Sequence, residues 1–368
     1  RASFAEVGGP INYTGLTPGT VTDPMKGGVI NPISVYPFPN FKAEQTKSYE
    51  LGTNLRLFNN KINIDATVYL TDTYNQTFLS SMSPASGYSG FYVQAGKVRN
   101  KGIELSLGYN DRFGKVGYAT NLTYTANRNK IMKMVHDYKN PSDGSLFSIT
   151  ELTLQDKGGV YLREKDAIGD VYVKGILARG KDGKLIEEEG GYKVDRSQRI
   201  KIGSVNPDFS IGWRHNVTWN NITLDLLFNG RFGGIVTSST QAFLDDYGVS
   251  KDTYKARQNG GVWVNGTQYD AEKYYTTIGG EQLMAYYAYK ATNIRLQEAS
   301  LSYTLPGKWF GNVINRLTVS AIGRNLWMIY NKAPFDPEMT SSTGTYNRVD
   351  VFMPPSLRSV GFSVKIEL

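Results

Sequence analysis

The segment from Phe209 to Phe232 decides the fold and reads FSIGWRHNVTWNNITLDLLFNGRF. After the pair Asn220-Asn221, apolar and polar residues alternate up to Phe232, and the half that begins at Phe209 alternates in the same way. A period of two is typical of a β-strand with one apolar face. Each half is long enough to cross a bilayer at a tilt, which takes about nine to eleven residues, whereas strands of soluble sheets average about five or six.

The same alternation recurs along the chain and predicts about ten strands. They cover residues 1–8, 44–58, 61–76, 97–111, 116–130, 206–219, 221–235, 291–305, 314–329 and 356–368. Short turns at 58–61, 112–115, 219–221 and 306–312 alternate with long connections at 9–43, 78–96, 131–205, 236–290 and 329–354. Outer-membrane barrels have this asymmetry, with short periplasmic turns and long extracellular loops. The predicted fold class is therefore all-β: a transmembrane antiparallel β-barrel with long extracellular loops and a periplasmic C-terminus.

Two local features refine this prediction. Apolar residues occupy even positions at Ile294 and Leu296 but odd positions from Ala299 onward, so a β-bulge is expected near Gln297-Glu298. An open sheet would leave unpaired edges in lipid, and the chain begins within what reads as a strand. We therefore expect residues 1–368 to be the C-terminal portion of one larger barrel.

Composition excludes several other classes of protein. Hydrophobic residues make up 40% of the 368 residues and the mean hydropathy is -0.37, too low for a bundle of membrane helices. Aromatic residues reach 12%, unlike a disordered chain. Cys is absent and there are two histidines, His136 and His215, so the sequence supports neither a metal centre nor His-dependent catalysis. The net charge of +8 is spread along the chain, which gives no support to nucleic-acid binding. We expect no enzyme and no cofactor.

At residues 98–105, VRNKGIEL, the chain begins to resemble the SusC/RagA-like TonB-dependent transporters of Bacteroidetes. The resemblance continues in GSVNPDFSIGW at 203–213 and NGRFGG at 229–234. It closes with LSYTLP at 301–306, GRNLW at 323–327 and FDPE at 335–338. The order and spacing of these motifs match the C-terminal part of that family's barrel across nearly the whole chain.

The resemblance implies a plugged barrel of roughly 22 strands, with the plug domain and the early strands absent from this sequence. It implies active import of large nutrients, oligosaccharides or peptides, across the outer membrane. The implied partners are a SusD-like lipoprotein that forms a lid on the extracellular face, outer-membrane lipid, and the TonB-ExbB-ExbD energy complex, which would act through the absent N-terminal part.

Two long connections carry the candidates for contact with ligand or lid, because flat aromatic rings stack on sugars and suit protein interfaces. They are Trp263, Tyr269, Tyr274, Tyr275, Tyr286, Tyr287 and Tyr289 in 236–290, and Phe335 in 329–354. Packing within the loop, or a place in the interfacial aromatic belt, is the alternative for the first seven. For Phe335 the alternative is a rigid turn built by Pro334 and Pro337.

Charged residues on the polar phase of the predicted strands are candidates for facing the lumen. They are Glu50, Arg56, Asp65, Glu104, Arg214, Asp225, Arg231 and Arg324. Their mixed signs suit pairing across the barrel wall or contact with a plug. Within 131–205, the turn signal Lys181-Asp-Gly-Lys184 predicts a hairpin between 171–178 and 185–186. The acidic run at 187–189 is expected to be a solvated face rather than a cation site.

Three other functions remain open on the sequence. A TonB-dependent siderophore or cobalamin receptor would need no lid, and a passive porin would need no plug. A soluble adhesin or lectin of long β-strands would turn the apolar faces inward. Such a lectin would stay in solution without detergent, whereas a barrel would not.

Overall fold

The computed structural model describes residues 1–9, 35–36, 42–81, 83–139, 146–154, 160–310, 314–341 and 348–367. The long strands in this part of the chain are β1 (Ala2–Gly8), β2 (Gln45–Leu57), β3 (Ile62–Ser81), β4 (Gly90–Phe113), β5 (Val116–Lys133), β6 (Phe209–Trp219), β7 (Ile222–Phe232), β8 (Asn293–Pro306), β9 (Arg316–Asn331) and β10 (Ser359–Glu367). Every predicted strand is therefore confirmed. Most of the predicted loop 9–43 and the last residue of the predicted final strand, Leu368, lie outside the described residues.

The strands fall into two compact units. The first comprises Arg1–Ile168 and Asp208–His215, and in it β1 to β5 pair antiparallel in chain order. The second comprises Gly169–Pro207 and Asn216–Leu368, and in it β7 to β10 pair antiparallel in chain order. The predicted antiparallel order is confirmed in each unit.

The first unit has one apolar and one polar face. Leu51 pairs with Val68, which pairs with Ile103. Directly paired residues point to the same side of a sheet, so these side chains form a continuous apolar row. Leu51 is 63% exposed although it lies between two neighbouring strands. The residues that alternate with these along each strand form polar rows on the other face. In one such row Asn54 pairs with Asp65 and donates a hydrogen bond to it at 2.9 Å.

The second unit repeats this division. Leu224 pairs with Leu301, Leu301 with Ala321, and Ala321 with Phe362. Leu301 is 55% exposed, which is typical of a face that contacts lipid rather than one that packs against a second sheet. On the other face, the hydroxyls of Ser302 and Ser320 lie 2.8 Å apart.

The predicted short turns are confirmed where the structure describes them; residues 311 and 312 of the predicted turn 306–312 lie outside the described residues. Phe58, Asn59 and Asn60 have positive φ angles between β2 and β3, and Asn220 has φ 49° between β6 and β7. Asn tolerates this left-handed conformation better than most residues, so an Asn pair suffices to reverse the chain. The connection between β8 and β9 begins with the 3-10 helix Gly307–Phe310.

The predicted bulge is also confirmed. Leu227 pairs with Glu298, and the next residue of β7, Phe228, pairs with Leu296. Gln297 is therefore the extra residue, and its amide donates to Asn325 Oδ1 at 2.8 Å. The extra residue restores the apolar phase from Ala299 onward.

The predicted long loop 78–96 is wrong, because β3 and β4 continue through most of it. Phe78 pairs with Val93 and Ser81 with Gly90, which leaves 82–89 and the 3-10 helix Pro84–Ser86 as the connection. Phe78 and Val93 are buried. Alternation is lost here because these residues no longer divide between an exposed apolar face and a polar face.

The predicted hairpin around Asp182-Gly183 is only partly correct. The turn exists, since Arg179 bridges to Leu185 and Gly183 has φ 79°. However, the strand Asp170–Leu177 pairs with Val194–Ser204, not with 185–186. The further short strands are Val35–Tyr36, Val135–Lys139, Leu146–Ile149, Glu151–Leu154, Val160–Arg163, Glu187–Glu188, Gly191–Tyr192, Ile235–Ser238, Val262–Val264, Thr267–Tyr269, Ala288–Lys290 and Val349–Asp350.

The connection 236–290 holds three helices that the sequence analysis did not predict: α1 (Ser239–Asp246), α2 (Lys251–Gln258) and α3 (Ala271–Gly280). The N-cap side chains of Ser238, Ser250 and Asp270 each accept a hydrogen bond from the third residue after them. Among the described helices, none is both long and apolar enough to span a membrane.

Candidate functional site

The eight charged lumen candidates all lie on the polar faces of their units. In the first unit, Asp65 is paired across strands with Ser106 and Glu104 with Thr125, while Glu50 and Arg56 share the face of Asn54 on β2 because they lie an even number of residues from it. Arg214 follows Trp213, whose indole donates to Thr120 on the apolar face, so Arg214 points to the polar side. That these side chains line a lumen stays a prediction.

Several polar-face charges have partners. Asp65 accepts from Arg1 at 3.0 Å as well as from Asn54. Asp225 accepts from Asn216 at 2.8 Å, and Arg324 donates to Glu298 at 2.9 Å. Asp65 and Arg324 are thus paired with an opposite charge, whereas Asp225 has a hydrogen bond from a neutral amide.

The helices pack into an insert around a small hydrophobic core. Leu177, Leu185, Tyr192, Ala242, Tyr269, Ile278, Leu283 and Tyr287 are its buried members. Two of the aromatic candidates, Tyr269 and Tyr287, are thus core residues. The hydroxyl of Tyr269 accepts from the backbone N–H of Leu185 at 3.0 Å.

The other tyrosine candidates surround this core. The ring of Tyr274 meets those of Tyr275 and Tyr286 edge-on, and the Tyr286 hydroxyl accepts from Leu177 N at 3.0 Å. Burial raises the pKa of Tyr275 to about 12. The edge-on ring contacts and the hydrogen bond from Leu177 hold these three rings in place.

Asp245 is buried against Tyr287, whose hydroxyl donates to Asp245 Oδ2 at 3.0 Å. Burial raises the pKa of the Asp245 carboxyl, although hydrogen bonds from Ser250 and Tyr287 act in the opposite direction. Tyr287 thus supplies a donor that a buried carboxyl needs.

Aromatic residues of the insert and its neighbouring loop are also exposed, and together they form what we call the exposed aromatic set. Its members are Phe243, Tyr247, Tyr254, Trp263 and Phe352, which range from 38% to 76% exposed. Phe243 stacks on Phe352 with ring centroids 5.7 Å apart. Of the predicted aromatic candidates, Trp263 belongs to this set, at 62% exposed.

Phe335 lies directly before a buried ionic cluster in the loop after β9. Its ring lies edge-on to Tyr289, with centroids 5.5 Å apart. The next residue, Asp336, forms an ion pair with Arg295 at 2.9 Å, and both side chains are 6% exposed. Asp336 also accepts from Ser356 Oγ at 2.5 Å. The FDPE motif therefore ties this loop to β8 and to the segment that precedes β10, a role that sequence reasoning did not find.

Burial acts to raise the pKa of Asp336, but hydrogen bonds from Ser356, Arg295 and the backbone N–H of Glu338 outweigh it. The pKa of this carboxyl therefore lies below its ordinary value. Nearby, the Glu338 carboxylate lies 3.4 Å from Arg295 and accepts from Asn293 at 3.3 Å.

The acidic run at 187–189 lies at the edge of the insert, and the sequence predicts no catalytic role for the two histidines. Glu187 pairs with Lys273 and Glu188 with Lys193, both at 3.5 Å, and the described residues contain no group of three His, Cys, Asp or Glu placed to hold a metal ion. His215 lies 2.9 Å from the Tyr118 hydroxyl.

Comparison with known proteins agrees with this geometry. Residues 1–164 match the family described as TonB dependent receptor-like, beta-barrel. TonB-dependent receptor P3 of Formosa agariphila is 24% identical over 92% of this chain, and receptor P39 of the same organism is 21% identical over 80%. The chain spans 35% and 33% of these two relatives' lengths.

The same barrel appears among solved structures. The RagAB peptide transporter superposes with a TM-score of 0.71 at 19% identity, covering 100% of this chain and 40% of that one. The closed-closed state of the RagAB peptide importer superposes with a TM-score of 0.73, also at 19% identity, and covers 99% of this chain and 40% of that one. Residues 1–164 therefore match the barrel of TonB-dependent receptors in sequence, and the strands of this chain have the fold of the RagA barrel.

Proposed function

We propose that the receptor containing this chain actively imports large nutrients, oligosaccharides or peptides, across the outer membrane. The observation that carries the proposal is the division of each unit into an exposed apolar face and a polar face. Such a sheet suits a wall between lipid and a hydrated passage. Residues 1–368 would be the C-terminal portion of a plugged barrel, with long loops extracellular and the C-terminus periplasmic.

The comparisons support the class of transport. The Formosa relatives are TonB-dependent receptors, and the structure with the same fold is that of a peptide importer. Energy would come from the TonB-ExbB-ExbD complex through a part of the receptor outside this sequence. Both peptides and oligosaccharides fit a polar wall of mixed charge.

The exposed aromatic set supports a protein partner on the loops. Large aromatic side chains are enriched at the energetic centres of protein interfaces, and an isolated helical insert has no need to expose Tyr247, Tyr254 and Trp263. The buried residues Tyr269 and Tyr287 hold this surface rigid from below. We propose that a SusD-like lipoprotein docks here as a lid.

Uptake in cells tests the proposed function. A strain lacking the receptor gene, complemented with wild-type receptor, should take up fluorescent casein peptides or labelled oligosaccharides only when TonB is present. Uptake that persists without TonB would identify a passive porin. Uptake of a ferric siderophore or cobalamin in place of both nutrient mixtures would identify the lidless receptor.

Affinity purification tests the lid. Trp263→Ala combined with Tyr254→Ala should abolish co-purification of a surface lipoprotein, whereas Leu146→Ala, at a residue 68% exposed in the other unit, should leave it unchanged. Co-purification that survives the double substitution would contradict docking at the exposed aromatic set.

A further inference from the structure

Three arginines converge at one end of the polar face in the second unit. Arg231 lies at the end of β7 and is paired across strands with Asn293, so both side chains lie on the same face. Arg295 lies two residues further along β8. Arg348 directly precedes the short strand Val349–Asp350, which pairs with 237–238. The backbone oxygen of Arg348 accepts from Thr237 N at 3.0 Å, so Arg348 lies beside the segment that follows β7.

Two carboxylates face these three guanidinium groups, and they are not equivalent. Asp336 is saturated, because it accepts from Arg295, from Ser356 and from the backbone N–H of Glu338. Glu338 is exposed, with 42% of its side chain accessible. It accepts from Asn293, the cross-strand partner of Arg231, at 3.3 Å, and it lies 3.4 Å from Arg295. Its charge also acts on Arg231 and Arg348. One solvent-accessible carboxylate therefore serves more than one guanidinium.

Arg231 and Arg348 are left short of acidic partners. Arg231 Nη2 donates to the backbone oxygen of Val205 at 2.6 Å, but its Nε is buried without a hydrogen-bond partner. Among the described residues, no carboxylate comes within ion-pair distance, 4.0 Å, of either side chain. A partly buried guanidinium whose nearest carboxylate lies beyond ion-pair distance is poorly compensated, so an incoming anion would be favoured at this position.

We propose that Arg231 and Arg348 form a subsite for a carboxylate group of the imported nutrient, with Glu338 as a resident counter-ion that the nutrient's carboxylate displaces. The subsite rests on the proposed import function and adds a preference for acidic cargo. Arg suits this role because its planar fork binds carboxylates in a bidentate manner. Glu338 suits displacement because it is exposed and sits on a loop, whereas Asp336 is buried and held by several donors.

Binding to the purified full-length receptor tests the subsite. The probes are two acidic mixtures, a tryptic digest of casein and an oligogalacturonate mixture, each compared with its methyl-esterified form, in which the carboxylates are neutral. Arg231→Gln and Arg348→Gln should each weaken retention of the acidic probe by roughly tenfold or more, the usual cost of losing a charge-assisted hydrogen bond. Retention of the ester should change little. The control is Arg128→Gln, at an exposed arginine paired with Asp208.

Glu338→Gln separates a binding role from a structural one. Removing the resident competitor should strengthen retention of the acidic probe several-fold, whereas a merely structural Glu338 would weaken retention of acid and ester alike. The proposal predicts one of the two acidic mixtures as the cargo, and which one is retained identifies the source of the carboxylate.

Three results would each overturn the subsite: equal retention of acid and ester, an equal effect of Arg231→Gln on both, or failure to retain either acidic mixture. The import function fails by a different result, TonB-independent uptake in cells. A receptor that imports only the esters in a TonB-dependent manner would thus retain the proposed function and lose the subsite.

Discussion

The buried ion pair between Arg295 and Asp336 should control the order of the loop after β9. Asp336→Asn keeps the size of the side chain but removes its charge and converts one acceptor oxygen into an amide donor. In the wild type, the carboxylate accepts from Arg295 at 2.9 Å, from Ser356 at 2.5 Å and from Glu338 N at 3.0 Å. The substituted loop therefore loses hydrogen bonds and leaves Arg295 only 6% exposed without its main counter-ion.

The expected cost follows from this geometry. Removing one partner of a buried ion pair typically costs about 3–5 kcal/mol. Glu338 remains 3.4 Å from Arg295, so the lower end, about 3 kcal/mol, is expected. Because about 1.4 kcal/mol corresponds to a factor of ten, local opening of the loop should become roughly 100-fold more frequent.

Hydrogen exchange followed by mass spectrometry on the full-length receptor in detergent measures this opening. The reporting amides are Met339, bonded to the backbone oxygen of Asp336, and Ser341, bonded to Val349 O. The matched control is Asp208→Asn, which removes an ion pair whose side chains are 58% and 59% exposed and should cost less than about 1 kcal/mol. Equal exchange in the two variants would refute the reasoning, as would faster exchange spread evenly through β8 and β9.

Three further predictions concern pH, the core of the insert and its helix packing. The pKa of Asp336 lies below the ordinary value of 3.8, so the stability that it contributes is present above that value and is lost as pH falls through the lower, folded-state pKa; corrected exchange of the same amides should rise on acidification in the wild type and not in Asp336→Asn. Leu283 is fully buried, so Leu283→Ala should destabilise the insert by about 2–5 kcal/mol, seen as proteolysis within 236–290, whereas Leu357→Ala, at a residue 80% exposed, should have no such effect. A Cβ on Gly279 would lie 2.5 Å from Ala242 O, so Gly279→Ala should separate α1 from α3 and increase the same proteolysis; Gly361→Ala, with nothing within 4 Å, is its control, and equal cleavage would contradict the predicted contact.

The long strands were predictable because one face of each must be apolar along its whole length. The alternation from Ile222 to Phe232 is local information, and so is the phase change that located the bulge at Gln297. Turns were predictable for a similar reason, since Asn220 can adopt a positive φ. The strand extensions beyond Gln76 and before Lys97 were missed because alternation ends there while backbone pairing continues.

The loop structure was less predictable because it depends on contacts between distant residues. The strand Asp170–Leu177 pairs with Val194–Ser204 and not with the nearer residues 185–186. A local turn signal does not indicate which of the two segments becomes the partner. The helices did leave a signal, namely N-cap residues such as Ser250 and Asp270, which polar loop composition obscured.

The candidate site illustrates the same limit. All eight charged candidates lie on the polar faces, since strand phase is readable from sequence. Which aromatic residues are exposed cannot be read from the sequence. Tyr287, for example, is buried in a core whose other members lie as far away in the chain as Leu177. The pairing of Arg295 with Asp336 also joins residues 41 apart, and the FDPE motif alone indicated ligand or lid contact, or a rigid turn.

Lipid quenching tests the central claim most directly, that alternate residues of one strand face hydrocarbon and a hydrated interior. Single cysteines at Leu301 and Ser302, in a cysteine-free full-length receptor, would carry a bimane fluorophore in vesicles containing brominated lipid. Quenching at position 301 and not at 302, with a water-soluble quencher giving the reverse order, is the predicted result. Equal quenching at the two positions, or stronger lipid quenching at 302, would contradict a membrane-spanning barrel.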